Sequence, residues 1–215
     1  MTKFYPEMLS NNQLEVFKKL DFLREFNFYL AGGTSLALQL GHRTSIDFDF
    51  YCLDRFDSKI LYSEIKKRFG NRVIKTLVEK DTMFCLVDNV EMSFFRYKYP
   101  LIDDKQNLFG VDLASVIDIS AMKMIAVYHR PVKRDYIDIF YLLKKYKLHE
   151  IFQFVNKKYP EFNYYLTLRA LSYFEDVDDK GKRSIEMTDK NFSWEDCKKY
   201  ILEEVVKYQN SILKN

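Results

Sequence analysis

The chain has 215 residues, of which 47% are hydrophobic and 17% aromatic, enough to bury a core without disulfides or a structural metal. Its 34 lysines and arginines stand against 31 acids, so the net charge is only +3 and is spread along the chain. Such a charge permits an anionic substrate but does not by itself indicate a nucleic-acid partner.

In chain order, Leu14, Phe17, Leu20, Leu23 and Phe26 recur at three-residue steps and predict one amphipathic packing helix over residues 11–26. Phe28-Tyr29-Leu30-Ala31 is a short apolar strand that ends at Gly32-Gly33. Thr34 to Leu40 follows as a helix, with a hydroxyl to cap it and Gly41 to close it. Ser45 to Tyr51 alternates, which puts Ile46, Phe48, Phe50 and Cys52 on one face of a strand and Ser45, Asp47, Asp49 and Tyr51 on the other. A helix opens at Asp57-Ser58 and closes at Gly70. Three strands follow at Val73–Val78, Met83–Val87 and Val90–Phe95, the last two joined by a two-residue turn at Asp88-Asn89. From Ser115 on the pattern is helical, over residues 115–129, 134–146, 149–158, 161–173 and 193–213, with a solvated loop at 175–181 and a capping box at Ser193-Trp194-Glu195-Asp196. The expected organisation is α/β (α+β): a mixed-sheet core over residues 1–110 and a helical bundle over 111–215.

Asp47 and Asp49 carry the strongest chemical signal, because two carboxylates at i and i+2 on a strand point the same way and are able to share divalent cations. The competing reading is that both decorate the solvent face of an edge strand. The Gly32-Gly33-Thr34-Ser35 turn lies one short helix upstream. Its backbone N–H groups and the positive end of the helix dipole suit a phosphate, and the Thr34 and Ser35 hydroxyls offer further hydrogen bonds. Glycines also end strands for steric reasons alone.

Lys123 is the single charge in the apolar run from Ile119 to Val127, so its ammonium needs a cleft, a partner or a path to solvent. Asp138 is similarly set among Ile137, Ile139 and Phe140, with Asp135 one turn earlier on the same face. Arg130 and Arg134 sit in or beside the turn between these helices and are candidate nucleotide contacts. Alternatively these residues form a structural salt-bridge cluster that joins two helices.

Other chemistries find no support. His42, His129 and His149 are scattered without a zinc-hydrolase spacing, and no GxSxG elbow, P-loop or Rossmann fingerprint occurs. Cys52, Cys85 and Cys197 are odd in number and lack CxxC spacing, so they read as ordinary thiols. No stretch reaches the ~18 apolar residues of a spanning helix, and the start Met1-Thr2-Lys3-Phe4-Tyr5-Pro6 lacks the apolar core of a secretory signal. A cytoplasmic location is expected.

Phe28-Tyr29-Leu30-Ala31-Gly32-Gly33-Thr34-Ser35-Leu36 and His42-Arg43-Thr44-Ser45-Ile46-Asp47-Phe48-Asp49-Phe50 resemble the first motif of the AbiEii/AbiGii nucleotidyltransferase toxins, which include the MenT toxins. Arg96-Tyr97-Lys98-Tyr99-Pro100-Leu101, and Asp118-Ile119-Ser120-Ala121-Met122-Lys123 through Arg134-Asp135-Tyr136-Ile137-Asp138, resemble later blocks of that family. The resemblance implies a polymerase-β-type nucleotidyltransferase domain followed by helices. It would act with Mg²⁺ or Mn²⁺ on a nucleoside triphosphate such as GTP, ATP or CTP, as the toxin of a type IV toxin–antitoxin pair. A tRNA acceptor and an antitoxin partner are part of the same implication. Position by position, Thr34 and Ser35 match the phosphate-binding motif, Asp47 and Asp49 the metal ligands, Lys123 the catalytic lysine, and Asp138 or Asp135 the final acid. One departure stands out: Ser93 occupies the strand position where a third carboxylate is expected, and Glu91, on the same strand face, is the candidate substitute. Kinase-like γ-phosphoryl transfer on the same scaffold, or a nucleotide- or partner-binding module without turnover, are the alternatives.

Overall fold

Period-two alternation orders the middle of the first half of the chain. In the computed structural model, which describes residues 3–175, 177 and 186–213, Phe48, Phe50 and Cys52 are buried while Asp49 and Tyr51 are half-buried, which makes strand β2 (Phe48–Cys52). It runs antiparallel to β1 (Tyr29–Ala31), with Ala31 opposite Asp49, and parallel to β5 (Val90–Arg96), with Ser93 opposite Asp49. The sheet extends through β4 (Thr82–Val87) to β3 (Val73–Glu79) on one side. On the other side it extends through β7 (Val111–Leu113) to β6 (Gln106–Leu108), in the order β3-β4-β5-β2-β1-β7-β6. Asp88 and Asn89 both take left-handed conformations and close the expected hairpin across the Val87–Val90 pair.

Three expectations change. The strand around the aspartates starts at Phe48 rather than Ser45, so the alternation does not reach Ile46, which is 48% exposed. The helix expected over 11–26 divides into α1 (Asn11–Phe17), held by a Ser10/Gln13 capping box, and a 3₁₀ helix at Asp21–Phe26. The three-residue apolar steps explain this, since three residues per turn is the 3₁₀ period, and Phe17, Leu20 and Leu23 are all buried. The β6–β7 hairpin was not expected, because three-residue strands are too short to show alternation. Its turn uses Phe109 at φ 52° and Gly110 at φ 85°. As Leu113 of β7 pairs in parallel with Leu30, the first compact unit runs past residue 110, from Met1 to Ser115.

That unit also contains α2 (Gly32–Leu40) and α3 (Ser58–Phe69). The Asp57 carboxylate caps α3 by accepting from the backbone N–H groups of Lys59 and Ile60. Its core is aromatic: Phe50 stacks on Phe94 with ring centroids 5.3 Å apart, and Phe48 meets Phe17 at 5.6 Å.

The second unit, Val116–Asn215, contains α4 (Val116–His129), α5 (Lys133–Leu143), α6 (Leu148–Lys158), α7 (Tyr164–Leu171) and α8 (Trp194–Ile212). α4 packs on α5, α6 and α7, and α5 packs on α8. Ser193 caps α8 by accepting from the Asp196 N–H. The loop expected at 175–181 falls almost wholly outside the described residues.

Candidate active site

β1 passes into α2 with no intervening loop. Gly32, at φ 66°, makes the turn, and no side chain caps the helix. The positive end of its dipole therefore faces the Asp49 carboxylate without a cap from Ala31. The glycines also answer to close neighbours. A Cβ on Gly32 would lie 2.9 Å from Asp49 Oδ2, and one on Gly33 would lie 2.6 Å from Arg43 Nη2 and 3.4 Å from Ser45 Oγ. Carboxylate, guanidinium and hydroxyl crowd the same turn, which is a stronger constraint than ending a strand.

The Thr34 and Ser35 hydroxyls are engaged within the protein. Thr34 does not cap α2 as expected; its hydroxyl donates to the Asp47 carbonyl and shares a 2.8 Å hydrogen bond with Ser45 Oγ. Ser35 Oγ accepts from Gln39 Nε2 at 3.2 Å, and both hydroxyl residues are buried. These side chains build the turn.

Asp49 lies on β2 between Ala31 of β1 and Ser93 of β5. Asp47 lies just outside the strand, its backbone fixed by Thr34. Both aspartates are half-buried. The register puts Ser93 directly beside Asp49, so the neighbouring strand contributes a hydroxyl at the level of the pair. Glu91 is exposed two positions earlier on β5. Among the described residues, no group of three or more His, Cys, Asp or Glu is arranged to hold a metal ion.

In the second unit, Lys123 of α4 does not snorkel to solvent. It is 5% exposed, and its ammonium contacts Asp135 Oδ1 at 2.6 Å and Asp138 Oδ2 at 2.5 Å on α5. Arg130, itself largely exposed, reaches Asp135 Oδ2 at 3.3 Å. Arg134 is half-buried at the start of α5. The structure thus brings together Lys123, Asp135, Asp138 and Arg130 in a cluster that joins α4 to α5.

Sequence reasoning assigned no role to two buried charges. Asp118, in the first turn of α4, accepts from Lys158 of α6 at 2.7 Å, both side chains being fully buried. Burial draws the Lys158 pKa below its ordinary value against the pull of Asp118. Arg43 is the other, at 3% exposure. Its signal was its place between Gly41 and Asp47, in a segment too short to carry a charge far from the turn. The three cysteines are buried and their thiols are pushed up to about 12, for Cys85 by burial alone and for Cys52 and Cys197 by burial first, which fits ordinary thiols.

The chain is similar to several known proteins. The family model "Nucleotidyl transferase AbiEii toxin, Type IV TA system" matches residues 22–101, the segment holding the glycine turn, both aspartates and Ser93. An uncharacterized Aquifex aeolicus protein, aq_aa25, is 35% identical over 207 residues, covering 93% of this chain and 97% of its own length. Among solved structures, JHP933 from Helicobacter pylori superposes with a TM-score of 0.57 at 16% identity, covering 98% of this chain and 95% of that one. MenT4, a nucleotidyltransferase toxin from Mycobacterium tuberculosis H37Rv, gives a TM-score of 0.61 at 13% identity, covering 89% of this chain and 80% of its own. At these identities the two structures establish a shared fold, and it is the family-model match over residues 22–101 that places this chain in the AbiEii nucleotidyltransferase toxin family.

Proposed function

We propose that the chain transfers a nucleoside monophosphate from GTP, ATP or CTP to an acceptor hydroxyl, with tRNA as the acceptor, and serves as the toxin of a cytoplasmic toxin–antitoxin pair whose antitoxin is its partner. The observation that carries this reading is the approach of Asp49 Oδ2 to within 2.9 Å of a Cβ position on Gly32. It sets a carboxylate against a helix N-terminus, where a triphosphate and a divalent ion would bind together.

The donor set suits Mg²⁺ or Mn²⁺, both of which prefer oxygen ligands: Asp47 and Asp49 would hold the ion, with Glu91 as the further candidate. Bound there, a divalent ion would offset charge on the phosphates. The backbone N–H groups of Gly32, Gly33, Thr34 and Ser35 orient the triphosphate, with Arg130 and Arg134 as further nucleotide contacts. The acceptor oxygen bonds to the α-phosphorus, the bond from that phosphorus to the α–β bridging oxygen breaks, and pyrophosphate leaves. Ser93 is no base at neutral pH, so the hydroxyl proton goes to Glu91, while the family resemblance implies Lys123 as the catalytic lysine and Asp138 as the final acid.

The test is to incubate the protein with total RNA and triphosphates labelled at either the α- or the γ-phosphate. Label from the α position alone supports nucleotidyl transfer. Label from the γ position assigns the scaffold to phosphoryl transfer instead. The hydroxyl of Ser93 at the third carboxylate position also favours a second reading, a binding module without turnover. Calorimetric binding of a magnesium triphosphate with no label reaching RNA, protein or small molecules would establish it.

A further inference from the structure

We propose that Arg43 is a positioning residue for nucleotidyl transfer, holding the Gly33 turn and the segment that delivers Asp47 in one geometry; this rests on the transfer reading above. Arg43 follows the end of α2, yet its guanidinium folds back along the helix to its first turn. Nη2 comes within 2.6 Å, and Cζ within 3.5 Å, of where a Gly33 Cβ would stand. Nη1 donates to the Thr44 carbonyl at 2.9 Å, and the residue is 3% exposed. A cation so enclosed is set to fix backbone rather than to reach out for a ligand.

Its neighbours belong to the same clamp. Thr34, one residue beyond Gly33, donates to the Asp47 carbonyl and shares a hydrogen bond with Ser45 Oγ, and Gln13 Nε2 donates to the Ser45 carbonyl at 2.8 Å. The connection from Arg43 to Asp47 is thus tied to the start of α2 through Arg43 and Thr34, and to α1 through Gln13. A planar, permanently charged fork fills the Gly33 seat, which a lysine cannot reproduce with one ammonium. A glycine at 33 is what allows the fork that close.

The consequence is kinetic. An ångström of misplacement between triphosphate and acceptor lowers turnover by about 10²-fold. The Arg43→Lys variant should therefore lose about 10²-fold in kcat at saturating triphosphate, with KM changed by less than about threefold. Guanidinium ion at millimolar concentration should restore part of the transfer activity of Arg43→Ala. Because Arg43 acts through Gly33, the double variant Gly33→Ala/Arg43→Lys should lose little more than either single variant. Melting curves with each assay report folding. Wild-type kinetics in Arg43→Lys would overturn the proposal, as would additive losses in the double variant, or a fall in activity that follows melting temperature and is not restored by guanidinium. If the wild type itself transfers no α-label from GTP, ATP or CTP, the transfer reading fails, and this inference with it, before any variant is compared.

Discussion

Replacing Lys123 by methionine keeps most of the stem and removes the charge, which isolates what the ammonium contributes. From sequence alone an isolated ammonium in an apolar helix is expensive, and its removal should raise stability. The structure reverses that sign. Lys123 Nζ lies 2.6 Å from Asp135 and 2.5 Å from Asp138, and both acids are fully buried, so Lys123→Met takes a cation away from two enclosed carboxylates. Removing one partner of a buried ion pair costs about 3–5 kcal/mol. With an m-value of about 2 kcal/mol per molar urea, the midpoint should fall by roughly 1.5–2.5 M. The single tryptophan of the chain, Trp194, makes a convenient probe, because its ring lies 6.3 Å from Tyr136 and 6.1 Å from Phe174 within the second unit. Urea unfolding followed by its fluorescence should show the shift. Adding Asp138→Asn should recover part of the loss, with a coupling of about 1–3 kcal/mol. A Lys123→Met midpoint at or above that of the wild type, or strictly additive losses in the double variant, would refute the argument.

Asp49→Asn should lower α-label transfer by about 10²–10³-fold and leave the melting temperature within a degree or two, because the carboxylate stands on the half-buried face of β2; a large loss of stability would assign it to the fold instead. Phe50→Ala should cost about 3–5 kcal/mol in urea unfolding, since its ring is fully buried and stacked on Phe94; a neutral result would contradict the packing of the sheet's inner face. Asp112 should make the fold acid-sensitive. Burial pushes its carboxyl up, but hydrogen bonds from Lys105 and Asn107 and the charges of Lys105 and Arg24 outweigh that and hold its pKa below the ordinary value. Its contribution should be complete above the unfolded carboxyl pKa of about 3.9 and be lost as pH falls through the lower folded value. The stability difference between wild type and Asp112→Asn should therefore be flat from about pH 5 to 7 and shrink below about pH 4, and a difference that grew on acidification would reverse the assigned direction.

What was legible in the sequence follows the length of each signal. Alternation over Phe48-Asp49-Phe50-Tyr51-Cys52, the paired left-handed residues at Asp88-Asn89 and the glycine stops at Gly41 and Gly70 are local devices, and each appears in the fold where it was expected. The β6–β7 hairpin escaped because three residues cannot display a period, and because Leu113 is held by Leu30 from a distant part of the chain. The 3₁₀ helix at Asp21–Phe26 was present in the spacing, as steps of three, and was read as α-helical. At the site, residue types were legible but their duties were less so. Thr34 reads as a cap, yet its hydroxyl is directed at Asp47, a contact set by the path of the chain after Gly41. Arg43 signals itself only by lying in the short segment between Gly41 and Asp47, and it is the turn of the chain that brings its guanidinium to Gly33.

The buried charges of α4 separate two uses of one kind of interaction. Exchanging a complete buried ion pair for apolar residues is often neutral or stabilising, so net stability does not explain why an otherwise apolar helix carries Asp118 and Lys123. Asp118 meets Lys158 where both side chains are fully enclosed, an arrangement suited to fixing α4 against α6 and little else. Lys123 differs in meeting two carboxylates, one of which is also approached from the rim by Arg130, a side chain 57% exposed. The Lys123 cluster thus joins α4 to α5 through two carboxylates with a guanidinium at its rim, whereas Asp118 joins α4 to α6 through a lysine with no exposure. That contrast supports the proposed chemical roles of Lys123 and Asp138 over any such role for Asp118 and Lys158.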